Sequence, residues 1–272
     1  MSEHVERLTK DLRRAAKGDG PHRPMSEKEV RYLVDSYYII QEDRKRSANQ
    51  VNSMMMEPHA CLKWFADQTE VLEKQIKAAL QNYAEGREIC RRMMKNYGIG
   101  PVIAAGLVAH IDIKNCPTAG KMWAFAGLAP PDVKKWEKGQ KRPWNARLKT
   151  LCWKMGQSFM KFSGQEECYY GKVYRARKDY EVARNESGGN AARAAELLPK
   201  FSKSTEAHKH LSGGKLPPAQ IDARARRYAV KLFLSHLQEV WWRLETGTEP
   251  PAPYVIKHLG HVDYIPPPKE WQ

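Results

Sequence analysis

Apolar residues recur at helical spacing along most of this chain, and this periodicity fixes the class of fold. The first stripe follows Ser26-Glu27-Lys28-Glu29, a sequence typical of a capping box at a helix start. The stripes comprise Val30, Leu33, Val34, Tyr37 and Ile40; Phe65, Leu72, Ile76, Leu80 and Tyr83; and Ile221, Ala225, Tyr228, Leu232, His236, Val240 and Leu244. We therefore predict an all-α fold, with a two-helix coiled-coil arm and a compact helical domain.

The order of these stripes predicts four regions. A basic N-terminal arm covers 1–24, a coiled-coil helical hairpin covers 25–92, and a compact domain covers 93–248 with a more variable insertion at 163–216. Residues 249–272 are rich in proline and are predicted to wrap the surface without regular structure. The apolar stripes of the hairpin can pack on the body of the protein or on a second copy, and we favour a homodimer or higher oligomer.

The charge of the chain indicates a polyanionic partner. Lys and Arg total 46 against 31 Asp and Glu, which gives a formal net charge of +15. A protein with this excess attracts nucleic acid, the commonest polyanion in a cell, although a basic protein without such a partner is the alternative. Charge does not separate DNA from RNA, so DNA is the expected partner and structured RNA stays open.

A glycine-rich break between two helical patterns is the clearest motif. Gly98-Ile99-Gly100-Pro101 is typical of a helix-hairpin-helix, in which Ile99 packs into the base of the hairpin and Pro101 takes the first helical position. Gly98 and Gly100 would let a phosphate approach the amides that begin the second helix. The alternative is a plain glycine-rich turn.

Two further basic segments are candidate phosphate contacts. The first is interleaved with Trp136, Trp144 and Trp153, of which the last two are predicted to be core residues, and aromatic rings here can also support lysine stems. Its candidate residues are Lys134, Lys135, Lys138, Lys141, Arg142, Arg147 and Lys149. The second lies on the last helix and comprises Arg224, Arg227 and Lys231, at intervals that suit a row of phosphates. His236 is predicted to be a satisfied core histidine.

Several classes of protein are not indicated. The five cysteines are far apart and form no metal-binding pair, so we expect neither a metal nor a cofactor, and no disulfide framework. No apolar run approaches the roughly 20 residues that span a bilayer, so no membrane association is expected. The predicted location is the cytoplasm, in association with the nucleoid.

The segment from Tyr97 to Leu151 resembles the C-terminal domain of insertion-sequence transposases of the one-ten class. The matching blocks are Gly98-Ile99-Gly100-Pro101, His110-Ile111-Asp112-Ile113, Ala124-Phe125-Ala126-Gly127-Leu128-Ala129-Pro130 and Asn145-Ala146-Arg147-Leu148-Lys149. The paired helices before Tyr97 are similar to the coiled coil that precedes this domain in the family. The resemblance implies a recombinase-related protein that acts on DNA as an oligomer.

The resemblance also implies two catalytic parts, and this sequence departs from both. Family members carry a metal-binding RuvC-like domain, for which we expect no counterpart before the coiled coil. They also carry a serine nucleophile in the loop after the Gly-Leu-Ala-Pro block, whereas the loop here reads Pro131-Asp132-Val133-Lys134-Lys135-Trp136-Glu137-Lys138-Gly139, without Ser or Thr. We therefore expect no catalytic residue at this loop, because a phosphoserine intermediate needs that hydroxyl.

The leading hypothesis is thus a DNA backbone-binding protein, related to a transposase and without catalysis. The alternative is an active strand-transfer enzyme that uses partner-supplied acidic residues or a displaced nucleophile such as Ser158, Ser163 or a tyrosine. A scaffold protein that assembles with an acidic partner is a third possibility.

Overall fold

The computed structural model describes residues 23–54, 59–129, 136–251 and 264–271, together with Glu6, Arg7, Lys10, Asp11 and Arg14. Within these ranges the protein is helical and contains no strand, which confirms the predicted all-α class. None of the helices in this part of the chain has the length and apolar composition needed to cross a bilayer. Most of the predicted basic arm lies outside the described residues.

The chain divides into two compact units. One contains Met1–Lys95 with Ile99–Asp112, and the other contains Asn96–Gly98 with Ile113–Gln272. Their helices are numbered in chain order. The first unit has α1 (Glu27–Asn52), α2 (Ala60–Glu85), α3 (Glu88–Lys95) and α4 (Pro101–His110). The second unit has α5 (Ala119–Phe125), α6 (Ala146–Lys161), α7 (Tyr169–Glu186), α8 (Ala191–Leu197), α9 (Glu206–Ser212) and α10 (Pro218–Thr246).

Helices α1 and α2 form the predicted hairpin. The predicted capping box is present, because the Ser26 hydroxyl accepts the Glu29 amide at 3.4 Å while the Ser26 amide donates to the Glu29 carboxylate at 2.8 Å. Each helix is about 39 Å long at ~1.5 Å per residue, and the short link between them reaches at most ~25 Å. Two contacting helices with this link must run antiparallel.

A polar cluster lies between α1 and α2. Glu73 is nearly buried and forms an ion pair with Arg44, and it also accepts a hydrogen bond from Gln41 at 3.0 Å. Arg44 holds the pKa of Glu73 below its usual value against the effect of burial, which raises it. The cluster fixes the register of the two helices, because a shifted pairing would leave this carboxylate without partners.

The predicted stripe of α2 is buried over only half its length. Leu80 and Tyr83 lie in the core of the first unit, together with Val30 and Val34 of α1. Toward the start of α2, Phe65 and Leu72 are exposed. The core of this unit is completed by α4, whose sequence is apolar on every side and whose residues after Pro101 are buried. Because α4 contacts both α1 and α2, this end of the hairpin is anchored.

In the second unit, α10 is the central helix and contacts α5, α6 and α7. The region 163–216, predicted to be a variable insertion, consists here of α7, α8 and α9. Helix α7 lies along α10, and the buried Glu181 of α7 forms ion pairs with Arg177 at 2.5 Å and with Arg224 of α10 at 3.2 Å. A small apolar cluster comprises Ala194, Leu197, Leu211, Leu216 and Ile221.

The described residues 264–271 pack on α7 and α10, and the prediction of a tail without regular structure fails only for Lys269–Trp271. Lys269–Trp271 forms a short 3-10 helix, and Trp271 is only 1% exposed. Its indole donates to the Tyr170 hydroxyl at 2.8 Å, and that hydroxyl lies 2.7 Å from Nδ1 of His236. Because Nε2 of His236 donates to the Ile265 carbonyl at 2.9 Å, Nδ1 accepts the Tyr170 hydroxyl. His236 is therefore a satisfied core histidine, as predicted.

Protonation of His236 should destabilise the second unit. Burial lowers the pKa of His236 from its ordinary value of 6.5 to about 4, and the hydrogen bond to Ile265 opposes this shift only in part. The unfolded chain therefore binds a proton below about pH 6.5 while the folded protein stays neutral, so the stabilisation is complete above pH 6.5 and is lost toward pH 4. We expect the free energy of unfolding to fall by roughly 3 kcal/mol over this window.

Urea unfolding between pH 7 and pH 4.5 measures this effect. A His236→Gln variant is the control, since its amide can hydrogen-bond but does not titrate. The difference in free energy of unfolding between the two proteins should shrink as the pH falls. A difference that is constant with pH would contradict the low pKa of His236.

Candidate nucleic-acid interface

The turn at Gly98 is held by hydrogen bonds within the second unit. Gly98 has a φ of 94°, a conformation that favours glycine because it is strained for residues with a Cβ. Its carbonyl accepts the Ser158 hydroxyl at 2.5 Å, and the Tyr97 carbonyl accepts the Cys168 thiol at 3.4 Å. Gly98 is thus needed for the shape of the turn, and its carbonyl already has a partner.

Gly100 has a different environment, at the start of α4 in the first unit. It is the N-cap residue, with a φ of −94° and a ψ of 173°, and no side chain caps the helix. A Cβ built at Gly100 would meet no atom of the described residues within 4 Å, so a side chain fits at this position. Ile99 is buried, as predicted for the base of a hairpin. The helix–Gly-Ile-Gly–helix order is confirmed, and phosphate binding there stays a prediction.

The basic loop is described from Trp136 onward, and Lys134 and Lys135 lie outside the described residues. Lys138, Lys141 and Arg142 are exposed. Trp136 organises this part of the loop: its indole donates to the Gln140 carbonyl at 2.8 Å, and the Arg142 guanidinium lies 5.3 Å from its ring centre. The aromatic ring therefore supports a cationic side chain, which is the alternative role that the sequence left open for these tryptophans.

Trp144 links the loop to the start of α6. It is half-buried, and its ring centre lies 6.0 Å from that of Trp136. A Cβ at Gly127 would lie 2.9 Å from this ring, so glycine is required there. The Lys149 ammonium lies 4.6 Å from the same ring centre. Because Asn145 caps α6 through the amides of Arg147 and Leu148, the first turn of α6 presents Arg147 and Lys149 at the surface.

Trp153 was predicted to be a core residue, and this prediction is wrong. The indole is 56% exposed. The buried face of α6 comprises Leu148, Leu151, Cys152, Met155, Gly156 and Phe159. Trp153 falls outside this stripe, one turn after Lys149 on the solvent side, so the packing of α6 leaves it free to contact a ligand.

The three cations of α10 have different environments. Arg224 forms an ion pair with Glu181 and donates to the Asn190 side-chain oxygen at 2.8 Å. The Lys231 ammonium lies 4.0 Å from the Trp123 ring centre, and burial together with nearby Arg227 lowers its pKa. Arg227 is exposed, and within the described part of the chain it makes no ion pair. The predicted row of three therefore offers Arg227 as its accessible member, while Arg224 already has a carboxylate partner.

A cleft of about 190 Å³ lies between α6 and α10. Lys149 and Arg227 line it together with Trp153, so the structure brings two of the predicted residues to one place. Arg226, which the sequence analysis did not single out, also lines the cleft. Lys149 and Trp153 are four residues apart in α6, and this spacing alone predicts that they share one face of the helix. The sequence does not show that α10 forms the other side of the cleft.

Of the candidate displaced nucleophiles, Ser158 and the buried Tyr174 already have hydrogen-bond partners. Ser158 donates its hydroxyl to Gly98, and the Tyr174 hydroxyl donates to Asp222, with the Lys178 ammonium 3.3 Å away. Tyr174 is 3% exposed, and burial followed by the Asp222 hydrogen bond raises its pKa, which disfavours the reactive phenolate. Among the described residues, no group of three His, Cys, Asp or Glu side chains could hold a metal ion.

The Gly-Ile-Gly turn and the basic loop lie in a segment that is similar to a known protein family. Residues 90–170 match a family model described as the transposase IS116/IS110/IS902 family. The match covers the Gly-Ile-Gly turn, α4, the basic loop and α6, and it is under a third of the chain. It confirms the resemblance to one-ten-class transposases. Searches of curated proteins and of solved structures found no match.

Proposed function

We propose that this transposase-related protein binds the sugar-phosphate backbone of DNA and does not itself catalyse strand transfer. The observation that carries the proposal is the cationic surface that runs from the basic loop into the first turn of α6, inside the segment that matches the transposase family. Its exposed members are Lys138, Lys141, Arg142, Arg147 and Lys149. Two of these cations lie over tryptophan rings, which limits the side-chain entropy lost when a phosphate binds.

The open start of α4 is proposed as a second backbone contact. The amides of the first helical turn have no intrahelical acceptor, and the helix dipole adds partial positive charge there. Among the described residues, no side chain caps this end, and no atom lies within 4 Å of a Cβ built at Gly100. A phosphate oxygen can therefore take the position that a capping side chain would otherwise occupy.

The absence of catalysis is proposed from the sequence of the loop that bears the family nucleophile. Residues 131–139 contain no Ser or Thr, so no hydroxyl is present for a phosphoserine intermediate. Trp136 or Glu137 occupies the position of the family serine. The Trp136 indole donates to the Gln140 carbonyl and so helps to hold the loop. The alternative remains an active strand-transfer enzyme with a displaced nucleophile, or with acidic residues supplied by a partner chain.

We also propose that the hairpin makes the protein a dimer or higher oligomer. Phe65 and Leu72 lie seven residues apart on α2, which places them on one face, and both are exposed. Trp64, beside them, is 62% exposed. Burying two such side chains against a second copy contributes roughly 1.5–3 kcal/mol each.

A Phe65→Glu/Leu72→Glu variant should shift the chain to the monomer. Charged side chains at both positions would be desolvated in the interface, so we expect the dimer dissociation constant to rise at least about 100-fold. Sedimentation velocity measures this change. Lys74→Glu makes the same change in net charge at an exposed position on the opposite face of α2, and it should leave the dimer intact. A wild-type chain that is monomeric at high concentration would contradict the proposal.

Gly100→Asp tests the backbone contact at α4. The position has extended backbone geometry and open space, so the substitution fits, and the carboxylate becomes an N-cap that leaves stability equal or slightly higher. The same carboxylate repels phosphate, so we expect duplex DNA to bind at least about 10-fold more weakly. Gly100→Asn is the matched neutral cap and should weaken binding less. Equal affinities for all three proteins would exclude a contact at this helix start.

A further inference from the structure

The exposed Trp153 forms one wall of the cleft between α6 and α10. The floor of the cleft is apolar, with Leu128, Cys152 and Val230 among its lining residues. The two helices approach closely at Gly156, where an added Cβ would lie 3.2 Å from the Val230 Cγ2 atom. An aromatic wall next to an apolar floor provides a surface on which a flat ring can stack.

The rim of the cleft is cationic. Lys149, Arg226 and Arg227 line it, and the Nε atom of Arg226 lies 2.7 Å from an Asp222 carboxylate oxygen. Asp222 thus offsets the charge of Arg226, whereas Lys149 and Arg227 form no ion pair within the described part of the chain. Lys149 comes from the first turn of α6 and Arg227 from α10, so the two remaining cations lie on opposite helices of the cleft.

We propose that this cleft binds an unpaired nucleotide, whose base stacks on Trp153 while Lys149 and Arg227 bind the adjoining phosphates. The proposal rests on the proposed function, since it specifies which part of a nucleic acid this surface takes. Inside a duplex both faces of each base are covered by its neighbours, so only an unpaired or extruded base can stack on an indole. Single-stranded DNA, single-stranded RNA and a bulged base in a duplex share this chemistry.

The test compares oligonucleotides of equal length with the full-length protein. The probes are a fully paired DNA duplex, the same duplex with one bulged base, single-stranded DNA and single-stranded RNA, each labelled for fluorescence anisotropy. We expect the wild type to bind the bulged duplex more tightly than the paired one. Trp153→Ala should weaken binding of the bulged and single-stranded probes between about 5-fold and 150-fold, with paired-duplex affinity unchanged.

Two further variants separate stacking from general effects. Trp153→Phe keeps an aromatic face and should restore most of the preference, whereas Tyr180→Ala removes an exposed aromatic ring of α7 that does not line the cleft and should change nothing. Thermal unfolding of Trp153→Ala should match the wild type, because the indole is mostly solvated.

The outcomes distinguish this proposal from the proposed function. Equal losses for paired and unpaired probes, or no preference for the bulged duplex, would overturn the unpaired-nucleotide site and leave backbone binding standing. A wild-type protein that binds none of the four probes would overturn both. Among the single-stranded probes, a loss confined to DNA or to RNA identifies which nucleic acid the cleft takes.

Discussion

Replacing Trp271 with alanine is expected to lower the free energy of unfolding by roughly 3–5 kcal/mol. The side chain is buried, its ring centre lies 5.1 Å from that of Phe233, and its indole donates to the Tyr170 hydroxyl. The same aromatic cluster includes Phe159 of α6, which stacks on Tyr170 at 5.1 Å. Removing the indole therefore leaves a cavity beside the residues that hold α6, α7 and α10 together.

Trp271→Phe is the matched control for this prediction. It keeps most of the apolar volume and removes the indole donor, so we expect a loss of about 1–2 kcal/mol. Urea unfolding followed by far-ultraviolet circular dichroism measures both variants. An alanine variant as stable as the wild type would mean that the end of the chain does not pack on α7 and α10 as described.

The largest expected effect on binding comes from neutralising the basic loop. A triple Lys138→Gln/Lys141→Gln/Arg142→Gln variant removes three exposed cations from the proposed interface. Each phosphate contact contributes about 0.9 to the slope of log K against log salt, so the slope should fall by about 2.7. At ~0.1 M salt this corresponds to a loss of affinity for duplex DNA of about two to three orders of magnitude.

The control for the triple variant has the same change in net charge. Lys172, Lys200 and Lys203 are exposed and lie in the region of α7 to α9, outside the segment that matches the transposase family. Their replacement with glutamine should reduce the salt slope by much less. If both triple variants lost the same affinity, binding would depend on overall charge and not on the basic loop.

Local signals in the sequence were sufficient to predict two of the helix starts. The capping box at Ser26 and the Gly-Ile-Gly-Pro break act over a few residues, and both fix a helix start where the structure has one. The transposase resemblance similarly depends on short blocks in a fixed order, and residues 90–170 match the family. Such features are predictable because their physical causes lie within one or two helical turns.

The environment of individual side chains was harder to predict. Arg224 pairs with Glu181, which is 43 residues away, and only the packing of α7 on α10 brings the two together. The burial of Trp271 likewise depends on its tertiary contact with Tyr170. Trp153 is a different case, because the apolar stripe of α6 alone would have excluded it from the buried face. The tryptophan spacing suggested a core residue, but the helical period was the better guide.

Titration of the wild-type protein against labelled duplex DNA, branched DNA and structured RNA in a salt series tests non-catalytic nucleic-acid binding. The labelled strands recovered from these mixtures are then run on a denaturing gel. We expect tight binding that weakens steeply with salt, and strands that stay intact and carry no protein. Cut, joined or protein-linked strands would contradict the non-catalytic proposal, and failure to bind any of the three would contradict nucleic-acid binding itself.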